Sequence, residues 1–100
     1  METAIQKATT LDPDNVQYYS LFTQALMNQK QYTHAEEIAT KAITHAPANN
    51  PWVYNTRARI RWRLKKYKQA GQDWEKAFAI KPDRSDFSYR TALAYEQQNP

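Results

Sequence analysis

The residues able to do chemistry gather in one short stretch. Arg57, Arg59, Arg61, Arg63, Lys65, Lys66 and Lys68 place seven cations in twelve positions, with Trp62 among them and Trp52 just upstream. Between 51 and 76, eight basic residues stand against two acidic ones, a local charge of +6. The rest of this 100-residue chain, whose net charge is +4, therefore carries −2. Helical spacing splits the cations. Arg57, Arg61, Lys65 and Lys68 recur three and four apart on one side, whereas Trp52, Asn55, Arg59, Trp62 and Arg63 line another. Guanidinium forks accept carboxylate oxygens two at a time, and indoles offer large, stiff contact area. The second stripe therefore suits a ligand with carboxylates and apolar side chains.

Other chemistry finds little support. The only histidines, His34 and His45, fall on different faces of one helical stretch and read as structural. Glu36-Glu37 and Asp73-x-Glu75 are expected on solvent faces. No metal-ligand cluster, nucleophile elbow or phosphate loop is present, and a single glycine argues against glycine-rich phosphate loops. The absence of cysteine removes disulfides, thiolate metal sites and cysteine nucleophiles. No apolar run approaches the roughly 18 residues of a membrane span, and no signal-peptide core opens the chain, so a cytoplasmic setting is expected. The expectation is a non-enzyme without metal or cofactor.

The elements that must position the stripe come from composition and periodicity. Of 41 hydrophobic residues, 14 are alanine and 7 tyrosine, while Leu, Ile, Val and Phe total only 15, below the roughly 20% that accompanies ordinary cores. Two options follow, disorder or a core in which rings meet alanines across close helices. Internal repetition favours the second. Pro13, Pro47 and Pro82 stand 34 and 35 residues apart, each five residues after the alanine of a Lys-Ala pair (Ala8, Ala42, Ala77). Tyr32 and Tyr67, 35 apart, are each followed three residues on by alanine, Ala35 and Ala70. Apolar positions such as Tyr19, Phe22 and Leu26 recur at three and four. Helices are predicted near 2–10, 15–28, 31–45, 51–65, 67–80 and 85–98, with Asn50 capping the fourth ahead of Pro51.

On these residues the chain resembles tetratricopeptide repeats. Tyr19, Phe22, Leu26, Tyr32, Ala35, Ala39, Ala42 and Pro47 fall on the signature sites of one repeat. Tyr54-Asn55-Thr56-Arg57-Ala58, Leu64-x-x-Tyr67, Ala70, Asp73-Trp74-x-Lys76-Ala77 and Pro82 do so in the next. The resemblance implies an all-α, right-handed solenoid of antiparallel helix pairs. It divides the chain into 1–15 as the end of a partial repeat, 16–49 and 50–84 as full repeats, and 85–100 as the first helix of another. Departures from the pattern carry expectations too. Thr23, Ala58 and Ala92 hold the small-residue site where paired helices touch. Lys30, Lys65 and Asn99 replace the usual turn glycine. Gly71 stands where an aliphatic is usual, so the second repeat is expected to be the softer, and His45 stands where leucine is usual, which predicts a half-buried ring.

The resemblance also implies a role. Such solenoids hold a partner peptide in a concave groove, onto which the stripe of Trp52, Asn55, Arg59, Trp62 and Arg63 would face, joined by Gln24, Asn28, Tyr89 and Arg90. A partner of acidic character is expected. The clamp that some members use for an acidic chain terminus is not matched, since its positions read Ser20, Gln24, Thr56, Asp86 and Arg90. Two alternatives stand beside this. One is homo-oligomerisation through terminal helices, with Phe87, Leu93 and Tyr95 as the uncovered face. The other, disfavoured, is nucleic-acid binding by the basic patch 57–68.

Overall fold

The computed structural model describes residues 16–46 and 49–98. Five helices occupy them: α1, Val16–Asn28; α2, Tyr32–His45; α3, Pro51–Arg63; α4, Tyr67–Ile80; and α5, Ser85–Gln98. The expected helix at 2–10, the landmarks Pro13 and Pro47, and the turn at Asn99 lie outside the described residues. Each helix packs on the next in sequence, and α1 also reaches α3, giving a slab of 41 × 27 × 16 Å. This is the antiparallel helix-pair solenoid that the resemblance implies.

Local chemistry sets the helix ends. Asn50 accepts a 3.0 Å bond from the Trp52 N–H, satisfying one of the four orphan donors of α3 while Pro51 enters the first turn. The turns after α1 and α3 share one geometry. Lys30 and Lys65 take left-handed backbone, with φ of 60° and 63°. Around the first, Gln31 N–H reaches the Leu26 carbonyl and Lys30 N–H that of Met27. Around the second, Lys66 N–H reaches Arg61 and Lys65 N–H reaches Trp62. These paired bonds close each helix as glycine usually allows, here at a lysine, on the order of 1 kcal/mol above an unstrained residue.

The core is built of rings against alanines. Ala35, Ala39, Ala42, Ala58, Ala70, Ala77 and Ala94 are all buried, facing Tyr19, Phe22, Trp74 and Phe87. It forms two clusters. One joins α1 and α2 to Val53 and Ile60 of α3, and the other joins Ala58 of α3 to α4 and α5. Small side chains let backbones approach closely, so few aliphatics suffice. Disorder is thereby excluded over the described residues.

Several expectations are corrected here. Ala92 is exposed, unlike Thr23 and Ala58, because no helix of the described residues lies against its side of α5; Phe87 and Ala94 instead bury that helix against α4. Gly71 is buried for a reason of its own: a Cβ there would stand 2.7 Å from Cε1 of Tyr95. The glycine makes room for the α5 ring, so this repeat is tightly packed where softness was expected. His45 is exposed, with its ring stacked on Tyr19 at 5.8 Å, because it lies in the last turn of α2. Asp73 is not on a solvent face but 1% exposed.

Candidate functional site

The four arginines of 57–63 divide between two sides of α3, as their spacing requires, and the two sides have opposite fates; Lys65, Lys66 and Lys68 lie beyond the end of that helix. Arg57 and Arg61 turn toward α2 and α4. Arg57 holds Asp73 with two bonds, Nε to Oδ2 at 2.9 Å and an Nη to Oδ1 at 2.7 Å. Arg61 adds a third to the same carboxylate at 3.1 Å and binds Glu36 of α2 at 2.9 Å, which also receives Lys66 Nζ at 2.8 Å. Burial alone would push the Glu36 carboxyl up. Its bonds to Lys66 and Arg61 outweigh that and hold it below the ordinary carboxylate value. Three of the seven cations, Arg57, Arg61 and Lys66, thus form an internal network that ties three helices together.

The other side of α3 opens into a cleft of about 610 Å³. Arg59, Trp62 and Arg63 of α3 line it with Met27 of α1, Trp74 of α4, and Asp86, Tyr89, Arg90 and Leu93 of α5. Its aromatic wall is fixed from behind. Trp62 meets Tyr67 edge-on at 4.9 Å and Trp74 at 6.0 Å, and the Trp74 Nε1–H donates to Asn55 Oδ1 at 2.9 Å. With that N–H satisfied, Trp74 presents carbon to the cleft. The Arg90 guanidinium lies 5.9 Å from the Trp74 ring.

The charges in the cleft are unbalanced. Arg59 and Arg63 have no carboxylate partner among the described residues. Asp86, the one acid of the lining among the described residues, is engaged by Arg84 through two bonds of 3.0 and 2.9 Å. That pairing holds the Asp86 carboxyl below its ordinary value, so it stays ionised but already compensated. Three guanidiniums thus stand beside three aromatic rings. Guanidinium forks are able to donate paired hydrogen bonds to a carboxylate, and aromatic faces to pack on apolar side chains.

Of the residues expected in a groove, Arg59, Trp62, Arg63, Tyr89 and Arg90 come together around this cleft. Asn55 supports it from behind by orienting Trp74. Gln24 and Asn28 bond to each other at 3.0 Å and do not line it, although their neighbour Met27 does. Trp52 lies apart, 47% exposed, with the Arg84 guanidinium 4.9 Å from its ring and Phe87 edge-on at 5.7 Å. The three residues expected on an uncovered end face are placed otherwise. Phe87 is fully buried under α4 and Trp52, Leu93 turns into the cleft, and Tyr95 packs on Gly71. Trp74 was not anticipated in the cleft, because its spacing marks it only as a core position of α4. The histidines serve as ring contacts, His34 edge-on to Phe22 at 5.7 Å.

Comparison with known proteins agrees with the architecture. The tetratricopeptide repeat family model matches residues 53–84. Among solved structures, that of MamA superposes with a TM-score of 0.82 at 19% sequence identity, over 95% of this chain and 55% of that one. The chain thus spans about half the length of MamA, and the likeness is one of fold. A search of curated proteins finds no match.

Proposed function

We propose, from the premise that residues 53–84 are a tetratricopeptide repeat within an all-α helical-repeat fold, that this chain is a non-catalytic interaction scaffold. Its cleft between α3 and α5 would take a partner segment of acidic and apolar character. One observation carries the reading: Arg59, Arg63 and Arg90 surround a cleft walled by Trp62, Trp74 and Tyr89, and the one carboxylate that the described residues bring to it, Asp86, is already held by Arg84. A non-catalytic role fits the site chemistry, since both histidines are engaged with rings and Asp86 is engaged by Arg84. Nucleic-acid binding is less well supported than the sequence alone suggests, because Arg57, Arg61 and Lys66 are held by carboxylates of the chain itself.

Affinities near micromolar, about 8 kcal/mol, are the natural scale for such a groove. The test is selection from a displayed peptide library, followed by titration of the enriched peptides against wild type and an Arg59→Ala, Trp62→Ala double variant. Loss of about tenfold or more in affinity at unchanged helicity is expected. Unchanged affinity overturns the reading. A parallel titration with single-stranded oligonucleotide separates the nucleic-acid alternative: phosphate binding of that class falls steeply between about 50 and 200 mM salt.

A further inference from the structure

On α3, Trp52, Arg59 and Arg63 stand seven and eleven residues apart, two and three turns, and so share one face of the helix. The face carries two chemistries. At its start Trp52 is 47% exposed, beside a small depression lined by Ser20 of α1, Ala39 of α2 and Thr56 of α3. The indole is contacted by Phe87 of α5 and by Arg84, just ahead of that helix. At the far end stand the guanidiniums without carboxylate partners. We propose that this stripe is a ruler for an extended acidic segment, in which one large apolar side chain packs on Trp52 and two carboxylates, spaced two residues from each other, begin four residues away and engage Arg59 and Arg63. This rests on the groove reading above and specifies the partner chemistry it would select.

The spacing follows from the geometry of two chains. At 1.5 Å per helical residue, Arg59 lies about 10 Å and Arg63 about 16 Å along the axis from Trp52. An extended peptide advances about 3.3 Å per residue and returns side chains to the same face every second residue. Only even separations therefore present the apolar residue and the acids together. A separation of four places the first acid about 13 Å along, between the two arginines, and the second about 20 Å along, roughly 3 Å past Arg63; the acids thus keep the roughly 6 Å spacing of the arginines and lie within reach of their long side chains. Charge complementarity selects acids over amides, since Asp86 leaves the arginines uncompensated.

Labelled ten-residue peptides on a Gly/Ser background, each with one Phe and a Glu-x-Glu group, test this by fluorescence anisotropy. The separation from Phe to the nearer Glu is set at three, four or five, in both chain directions. In one direction the separation of four binds about tenfold tighter than three or five, a difference of about 1.4 kcal/mol. Trp52→Leu, with helicity checked, removes the preference, and Arg63→Gln weakens the preferred peptide while leaving a weak, Phe-dependent contact. Equal binding at all separations, or a preference that survives Trp52→Leu, overturns the ruler. If the spaced peptides bind alike yet all lose affinity on the Arg59→Ala, Trp62→Ala variant, the groove reading stands without the ruler. Binding unchanged on that variant, or none to wild type at millimolar peptide, overturns both.

Discussion

At the scale of single residues, two kinds of physics explain three of the departures from the repeat pattern, Lys30, Lys65 and Gly71. Lys30 and Lys65 sit in left-handed backbone that glycine adopts freely. Lys30→Gly and Lys65→Gly each relieve on the order of 1 kcal/mol of backbone strain and return part of it through the freer unfolded chain, a net gain of about 0.5 kcal/mol. The urea midpoint should rise by a corresponding amount with an unchanged m-value. Gly71 behaves oppositely. Alanine there is worth about 1 kcal/mol in helix propensity, but its Cβ would press on the Tyr95 ring at 2.7 Å. Gly71→Ala should therefore destabilise by about 1–2 kcal/mol in wild type and turn stabilising in a Tyr95→Ala background, a coupling that a double-mutant cycle measures. The lysines were legible in the sequence, because the turn is local and its register known. The fit of Gly71 was not, because its partner lies 24 positions away on another helix.

At the scale of elements, α3 is held by charge on one side and offers charge on the other. Asp73 is 1% exposed and receives three guanidinium bonds, two from Arg57 and one from Arg61. Asp73→Ala leaves both guanidiniums without that carboxylate at a part-buried site and should cost about 3–5 kcal/mol, read from chemical unfolding. Glu36 links the network to α2. Its folded-state value lies below the ordinary 4.5, so its contribution is complete above that pH and is lost as pH falls through the lowered value. Glu36→Gln should therefore lower stability at neutral pH and flatten the loss of stability below about pH 4.5, followed by unfolding across a pH series. Spacing alone separated Arg57 and Arg61 from Arg59 and Arg63. It could not say which pair would be neutralised, because Asp73 and Glu36 sit on other helices and resemble surface acids when read along their own. The same limit hid Trp74, whose place in the cleft depends on how α4 packs against α3 and α5.

At the scale of the whole molecule, helices that touch mainly their sequence neighbours make stability a sum of local terms joined at interfaces. The two core clusters meet in α3, where Tyr54 packs against both and carries Lys76 Nζ at 5.6 Å over its ring. A side chain in that position couples the halves more than it stabilises either. Tyr54→Ala should lower total stability by about 2–3 kcal/mol and, beyond that, separate two unfolding events that coincide in wild type. Hydrogen exchange reads this directly. Amides around Leu26 in α1 and Ala94 in α5 should share one opening free energy in wild type and diverge in the variant, whereas a uniform decrease would show that α3 alone suffices to couple them. The cleft crosses the same seam, for Met27 packs with the first cluster while Trp74 belongs to the second. A ligand held between them bridges what Tyr54→Ala uncouples. A groove peptide that binds the folded chain should then draw the two opening free energies back together, by an amount that grows with its concentration over its dissociation constant.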